Sequence, residues 1–193
     1  MATAYQIAIS MVNRSIELAR EKGKGYYLNH IKLQKLMYLG QCYSLAKYGR
    51  ELFVDNIRRH DCGPYIESLD LFVSEQGFGE YTSPIRGELS GTAQERDAIN
   101  TVLRKYGHGS AAQLVAFTKG SDPYKSTKRY RELVSKDEMK KYGRKLFAVQ
   151  PVAYTPSVEG YLELLQKTEE GLRDSSNRWK QRRAAATYRV AHR

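Results

Sequence analysis

Apolar residues recur at helical spacing along most of the chain, in stretches that are separated by glycine. The first runs from about residue 4 to residue 20, the second spans "NHIKLQKLMYLGQCYSLAKYG" at residues 29–49, and the third ends at Gly77. Spacings of three and four residues place side chains on one face of a helix, so each stretch is predicted to be helical. The stripes are, in order, Ile7, Met11, Val12, Ile16 and Ala19; Leu33, Leu36, Met37 and Gly40; and Ile66, Leu69, Phe72 and Val73.

Capping signals mark the ends of the second helix and the starts of three more. Asn29 is placed to cap the second helix, and Gly49 is placed to end it. Farther along the chain, a Ser or Thr is followed three residues later by Glu or Gln, which is the capping-box pattern. The three boxes are Thr92 with Glu95, Ser110 with Gln113, and Ser135 with Glu138. We therefore predict helices that begin at these positions.

The stretch "ELFVDNIRRHDCGPY" interrupts the helical pattern. It is short and mixed and contains Gly63-Pro64, which favours one or two brief strands followed by a helix, with Pro64 suited to that helix's first turn. Residues 77–91 hold four glycines and a proline and are predicted to form a loop or an irregular hairpin.

The predicted fold class is mainly α (α+β): a compact helical domain with a small β hairpin, followed by a C-terminal helical extension. Pro151 and Pro156 bracket "PVAYTP", which is typical of a linker. A long final helix can begin after it, although Gly160 and Gly171 weaken that helix. We place the domain at residues 1–150 and the linker with its basic C-terminal helix or tail at residues 151–193.

Composition favours an ordinary globular protein of the cytoplasm. The chain has 193 residues, of which 41% are hydrophobic. No run of about 18 apolar residues occurs, so a membrane-spanning helix is not expected, and the N-terminus lacks the basic leader of a signal peptide. The two cysteines have no metal or redox spacing and are expected to be reduced thiols.

The formal net charge of +11 predicts an anionic partner. Nucleic acid, an anionic surface and an acidic protein all remain open, because net charge bears on association and not on fold. The last twenty residues contain six Arg or Lys and one Asp. Their basic side chains flank Trp179, so they can contact phosphates while the indole stacks on a base, clamp an acidic protein, or form a solvated helix end. This candidate tail site consists of Arg178, Trp179, Lys180, Arg182, Arg183 and Arg189.

Catalytic and metal-binding motifs are not found in the sequence. The phosphate-loop, dinucleotide, zinc-protease and nucleophile-elbow patterns do not occur. His108 lies at a helix junction where capping explains its neighbours, and Cys42 is expected to pack as a small apolar residue. His60 and Cys62 have no evident further ligands. We predict that the protein is not an enzyme and that it uses no cofactor and no metal.

Polar residues share one side of the helix at 29–49. Gln34, Tyr38 and Gln41 are spaced i, i+4 and i+7, and Lys32 and Lys35 form a neighbouring pair. One interpretation is a solvated flank beside the core. The other is a binding strip, since tyrosine combines a large apolar area with a hydrogen-bonding tip. Fifteen tyrosines against five phenylalanines favour an interaction protein.

Taken together, these segments resemble the Panacea domain, also called the SocA-like antitoxin domain. "KLQKLMY" at 32–38 is similar to the family's K-L-Q-K-L-L-Y-F helix, and Gly63-Pro64 to its W-x-x-G-P-V turn. "KYGHGSAAQL" and "DPY" are similar to its K-Y-G-x-x-S-A-x-x-L segment and D-P-W turn. The resemblance covers roughly residues 5–148. The chain departs from the pattern at His60 and Tyr124, where the family has tryptophan, and at Lys119, where it often has histidine.

The resemblance implies a mainly helical domain with a small β element, and a function as an antitoxin that binds its cognate protein toxin directly. It also implies an alternative, since one relative is an adaptor that delivers its toxin to a bacterial ATP-dependent protease. A further alternative is a nucleic-acid-binding phage or mobile-element protein that uses the basic tail. The signature positions that become candidate partner-binding residues are Lys32, Gln34, Lys35, Tyr38, Gln41, His60, Gly63, Pro64, Asp122, Pro123 and Tyr124. Whether they serve the fold or the partner stays open at this point.

Overall fold

A computed structural model of the chain describes residues 2–87 and 91–148. These residues belong to one compact unit, and they confirm the prediction of a mainly helical fold with one small hairpin. The predicted linker and helical extension at 151–193 lie outside the described residues, so the division at residue 150 stays a prediction. The elements are α1 (Ala4–Lys22), a 3-10 turn (Lys24–Tyr26), α2 (His30–Tyr48), β1 (Arg58–His60), β2 (Gly63–Tyr65), α3 (Leu69–Gln76), α4 (Ala93–Tyr106), α5 (Ala111–Lys119), α6 (Asp122–Ser126) and α7 (Lys136–Ala148).

Local capping sets most of the helix boundaries. Both side chains of the predicted boxes at Thr92 and Ser110 make their reciprocal bonds, so α4 and α5 begin where expected. Asn29 accepts from the backbone of α2, and Gly49 ends that helix with φ 65°, a left-handed conformation that glycine adopts without steric cost. At the third box, Ser135 Oγ accepts from the backbone N–H of Glu138 at 3.4 Å.

A fourth capping box, which the sequence analysis did not predict, starts α1. The Thr3 side chain accepts from Gln6 N, and the Gln6 side chain accepts in return from Thr3 N. Asp55 adds a second acceptor at this helix end, since its Oδ2 lies 2.6 Å from Ala4 N. The long-range bond to Asp55 ties the start of α1 to the loop that follows α2.

Helix α2 is the centre of the fold. It packs against α1, α4, α5, α7 and β2, and every residue from Lys32 to Leu45 is buried. A helix surrounded in this way has no solvated flank, so that interpretation of its polar residues is wrong. The polar side chains at 32–41 lie in the interior together with Leu33, Leu36 and Met37.

The predicted hairpin forms between β1 and β2, with Arg58 opposite Tyr65 and Arg59 opposite Pro64. The expected place of Pro64 in a first helical turn is wrong, because Pro64 lies in β2 and the next helix begins only at Leu69. Ile66, which was expected on the stripe of that helix, precedes it. Proline is compatible with a short edge strand because its missing N–H then leaves no ladder bond unmade.

The described part of the predicted loop, residues 77–87, contains one isolated bridge, between Tyr81 and Leu28. Along the described ranges, no helix is both long enough and apolar enough to cross a membrane. Within the same ranges, no group of three or more His, Cys, Asp or Glu side chains comes together as a metal site would need.

Candidate partner-binding site

The polar residues of α2 are buried almost completely. The exposed fractions are 6% for Lys32, 3% for Gln34, 2% for Lys35, and 0% for both Tyr38 and Gln41. Burying a polar group costs free energy unless it finds a hydrogen-bond partner in the interior. Each of these five side chains has such a partner, and most of the partners are backbone atoms of neighbouring segments.

Two glutamines of α2 hold irregular backbone on either side of the hairpin. Gln34 Nε2 donates to Ile66 O at 3.1 Å, and Gln34 Oε1 accepts from Ile66 N at 2.9 Å. Gln41 Nε2 donates to Phe53 O at 3.2 Å, and its Oε1 accepts from Leu52 N at 2.8 Å. A carboxamide has a donor and an acceptor side by side, so it pairs with a peptide group as a neighbouring strand would.

Two lysines of α2 also reach backbone carbonyls. Lys32 Nζ donates to Gly25 O at 2.7 Å and to Tyr27 O at 2.9 Å. Lys35 Nζ donates to Pro64 O at 2.8 Å. Burial lowers the pKa of Lys35 to about 7, while the nearby Cys62 raises it and Lys119 lowers it to smaller extents. The bond to Pro64 O therefore ties strand β2 of the hairpin to α2.

Tyr38 links α2 to the Asp-Pro-Tyr turn. Its hydroxyl lies 2.8 Å from Ser121 Oγ, and Ser121 Oγ in turn lies 2.6 Å from Thr118 O. Because the single Ser121 hydroxyl hydrogen is directed at Thr118 O, Tyr38 is the donor. Ser121 precedes α6, whose residues Pro123 and Tyr124 are buried. The central helix thus fixes where α6 begins.

The Asp-Pro-Tyr turn is joined in its turn to the hairpin. Tyr124 OH donates to His60 O at 2.7 Å. The Arg59 guanidinium stacks over the Tyr124 ring at 4.1 Å and donates to Tyr124 O at 2.7 Å. Tyrosine, where the resembled family has tryptophan, supplies both the ring and a hydroxyl for these contacts. The three predicted motifs therefore converge in one region of the fold.

The close packing of the hairpin on α2 and α5 requires glycine at position 63. Its φ is 94°, which L side chains rarely adopt, and a Cβ there would lie 3.2 Å from Thr118 Oγ1 and 3.4 Å from Lys35 Cε. The hairpin turn can approach α2 and α5 this closely only because the residue has no side chain. Gly63 and Pro64 are both buried.

Two of the candidate residues reach the surface. Asp122 is exposed and lies 3.7 Å from Lys145 Nζ, an ion pair between two solvated side chains. The half-buried His60 ring lies against Tyr65 on one side and Tyr130 on the other, with ring centroids 5.0 and 5.1 Å apart. The other nine candidates are buried, and their contribution to partner binding stays a prediction.

Residues 33–125 match the family model of the antitoxin SocA-like, Panacea domain. This segment is similar to the Panacea domain. No curated protein and no solved structure matches the chain. The match ends before α7 and begins after α1, yet both helices pack on α2. The matched segment therefore depends on flanking helices for its core, which agrees with the wider resemblance at residues 5–148.

Two features of the surface had not been predicted from the sequence. Asp97 Oδ2 accepts from Tyr43 OH at 2.7 Å, Tyr48 OH at 2.6 Å and Lys47 Nζ at 2.9 Å, which ties α2 to α4. No local pattern predicts that convergence. The second feature is the contact of Tyr130 with His60, for which the basic run "KSTKRYR" at 125–131 was an available signal.

The basic tail lies outside the described residues. Its candidate side chains are Arg178, Trp179, Lys180, Arg182, Arg183 and Arg189. Contact with phosphates, a clamp on an acidic protein and a solvated helix end all stay predictions for them.

Proposed function

We propose that this protein is an antitoxin that neutralises a cognate protein toxin by binding it directly. The observation that supports the proposal most strongly is the match of residues 33–125 to an antitoxin family. We infer a non-enzymatic role in the cytoplasm, where Cys42 and Cys62 would remain reduced thiols.

The buried polar network suits such a binding function. Gln34, Lys35 and Gln41 tie irregular backbone to the central helix, so the loops and the hairpin are held in one conformation. A preorganised surface loses little conformational entropy when a partner binds. The signature residues then act on the toxin indirectly, by fixing the surface that meets it.

The proposal is tested by co-expressing the full chain with the product of its neighbouring gene. That product should arrest growth when expressed alone, growth should recover when the chain is present, and the two proteins should copurify. A neighbouring product that is harmless, or that stays toxic and unbound beside the full chain, would refute the proposal. Expression of the chain alone is the control for its own effect on growth.

Occlusion and delivery to a protease are separated by the lifetime of the toxin. Direct occlusion predicts a toxin that persists in a stable complex, with growth restored equally in strains with and without ATP-dependent proteases. An adaptor predicts a toxin that disappears faster when the chain is present, and only in the protease-proficient strain. We favour occlusion because Gln34, Lys35 and Gln41 already hold the hairpin and the loops in one conformation in the free domain.

A further inference from the structure

The hairpin has one face that is turned away from the core. Residues 131–134 extend the hairpin by a third segment, since Arg59 N donates to Glu132 O at 2.8 Å and Val134 N donates to Ile57 O at 2.9 Å. Arg58 lies opposite Tyr65 on one side and opposite Leu133 on the other. Residues directly opposite each other in antiparallel pairs point to the same face.

We define the outer face as Arg58, His60, Tyr65, Tyr130 and Leu133. His60 follows Arg58 by two positions in β1, so its side chain points to the same side. The alternate residue Arg59 points inward to Tyr124. Tyr130 joins the outer face by packing on the His60 ring.

The outer face is rich in exposed aromatic and apolar surface. Tyr130 is 54% exposed and Leu133 is 50% exposed. They are two of the four large hydrophobic side chains that are exposed in the described part of the chain. The rings of Tyr65, His60 and Tyr130 pack in succession. Tyrosine and arginine are the residue types that most often dominate protein–protein binding energy.

An ion-pair network borders the outer face. The Glu67 carboxylate lies 3.2 Å from Arg58 Nε and 2.6 Å from Arg131 Nη2. Arg58 Nη1 also donates to Arg131 O at 2.9 Å. Arg131 has φ 62°, the one positive φ at a non-glycine residue of the described ranges. A conformation of this kind costs on the order of 1 kcal/mol and persists only where the surroundings determine it, as they often do at functional sites.

The rim of the outer face is basic. The segment at 125–131 has four basic residues and no acidic one. Lys128 and Arg129 are exposed, and their backbone N–H groups both donate to the Glu132 carboxylate, which fixes the turn that presents them. A positive rim attracts an acidic partner and raises the rate of association.

Carboxylates beside the outer face favour a protein over a nucleic acid. Glu67 lies between Arg58 of the outer face and the neighbouring Arg131, and Asp70 accepts a hydrogen bond from Tyr65 OH. Both groups would repel the phosphates of a nucleic acid that lay across the rings. A protein segment can instead place an apolar side chain at the centre and its carboxylates at the rim.

We propose that the toxin docks on the outer face, with an apolar side chain of an acidic segment seated against Tyr130 and Leu133 and with its carboxylates paired to Lys128 and Arg129. This inference rests on the proposed antitoxin function and names the surface that performs it. The buried signature residues hold the hairpin, and the hairpin presents the docking face.

The test uses the full chain, the product of the neighbouring gene, and three variants. Tyr130→Ala removes the exposed ring, and Lys128→Glu with Arg129→Glu reverses the rim charge. Lys22→Glu with Lys24→Glu is the matched control, since it changes the net charge equally at exposed positions, at the last residue of α1 and the first residue of the 3-10 turn. Thermal unfolding of each variant verifies that the fold survives.

We expect Tyr130→Ala and the rim reversal each to weaken toxin binding by about 10-fold or more, and the control to stay within about 2-fold of wild type. The loss from the rim reversal should shrink as salt rises, because salt screens exposed charges.

If wild type binds and neutralises the toxin and the two variants do so equally well, the docking face is wrong while the antitoxin function stands. If wild type does not bind the toxin, the proposed function fails and this inference with it. Binding of a single-stranded oligonucleotide that is lost in the same variants would overturn the inference in favour of a nucleic-acid surface.

Discussion

Gln34 and Ile66 pair in both directions, although 32 residues separate them along the chain. The amide of Gln34 donates to Ile66 O at 3.1 Å and accepts from Ile66 N at 2.9 Å. Both residues are buried, so water does not substitute for either bond. A side chain of the central helix thus completes the backbone pairing of the segment that leaves the hairpin.

Replacing Gln34 with leucine should destabilise the fold by about 2–4 kcal/mol, because the N–H and C=O of Ile66 would both be left buried and unpaired. Urea unfolding at pH 7 measures the change in the free energy of unfolding. Gln94→Leu, the same substitution at an exposed position of α4, is the control and should stay within about 0.5 kcal/mol of wild type. Equal stability of the two variants would contradict the role assigned to Gln34.

Gly143→Ala should destabilise the protein by about 1–3 kcal/mol, although alanine is the better helix former. A Cβ at Gly143 would lie 2.7 Å from Cys42 C and 2.9 Å from Ala46 Cβ, so α7 would have to move away from α2. Gly79→Ala is the matched control, since nothing lies within 4 Å of its Cβ position. Thermal unfolding distinguishes the two, and a stabilised Gly143→Ala variant would show that the helices are not in close contact there.

Stability should rise between pH 7 and pH 8.5 because of Lys35. Burial lowers the pKa of Lys35 to about 7 from an ordinary value of 10.5, so between these values the unfolded chain binds the proton that the folded protein lacks. The free energy of unfolding then increases by at most about 1.4 kcal/mol per pH unit. Lys35→Met should flatten this rise in urea unfolding measured across the window.

The pH window ends at 8.5 so that titration of the Cys42 thiol does not contribute to the measured slope. Burial raises the pKa of the Cys42 thiol, so above its ordinary value of 9.0 the unfolded chain loses a proton that the folded protein keeps. That effect opposes the one from Lys35. The same pH slope in wild type and Lys35→Met would show that Lys35 does not titrate in the folded protein.

Asp97 should contribute stability that is lost in acid. Burial alone would raise the pKa of Asp97, but hydrogen bonds from Lys47, Tyr48 and Tyr43 outweigh it and lower the pKa to about 2. A lowered carboxylate pKa stabilises the folded protein above the unfolded value of 3.8, and the contribution disappears as the pH falls towards 2.

Asp97→Asn tests this contribution by urea unfolding at pH 7, pH 4 and pH 2.5. Because the pair with Lys47 is partly exposed, we expect a loss of no more than about 1 kcal/mol at pH 7, smaller in high salt. The difference from wild type should shrink towards pH 2.5. A difference that is constant with pH would mean that the Asp97 charge contributes nothing.

Local signals in the sequence predicted each of the described helices except the short α6. Asn29, Thr92 and Ser110 act on backbone groups only two or three residues away, so the chemistry that starts these helices is contained in a few consecutive residues. The brief strands at Gly63 were predicted for the same reason, since glycine and proline restrict the backbone locally. The signature itself was identifiable as a run of residue types.

The place of Pro64 could not be predicted in this way. A proline suits the first turn of a helix and also an edge strand, and the two alternatives are locally equivalent. The pairing of Arg59 with Pro64 and the bond from Lys35 Nζ to Pro64 O decide for the strand. Both contacts come from elsewhere in the fold.

The sequence by itself therefore determined most of the helices, several of their caps and the resemblance to one family. Only the tertiary structure decided that the polar side of α2 is interior, that Gln34 meets Ile66, and that Tyr130 meets His60 across 70 residues. Periodicity records which side chains share a face of a helix, but the burial of that face depends on what packs against it. From the sequence alone, a lysine or glutamine is expected to be exposed to solvent. It can be buried and hold the hairpin only when the fold brings a distant carbonyl within hydrogen-bonding distance of its side chain.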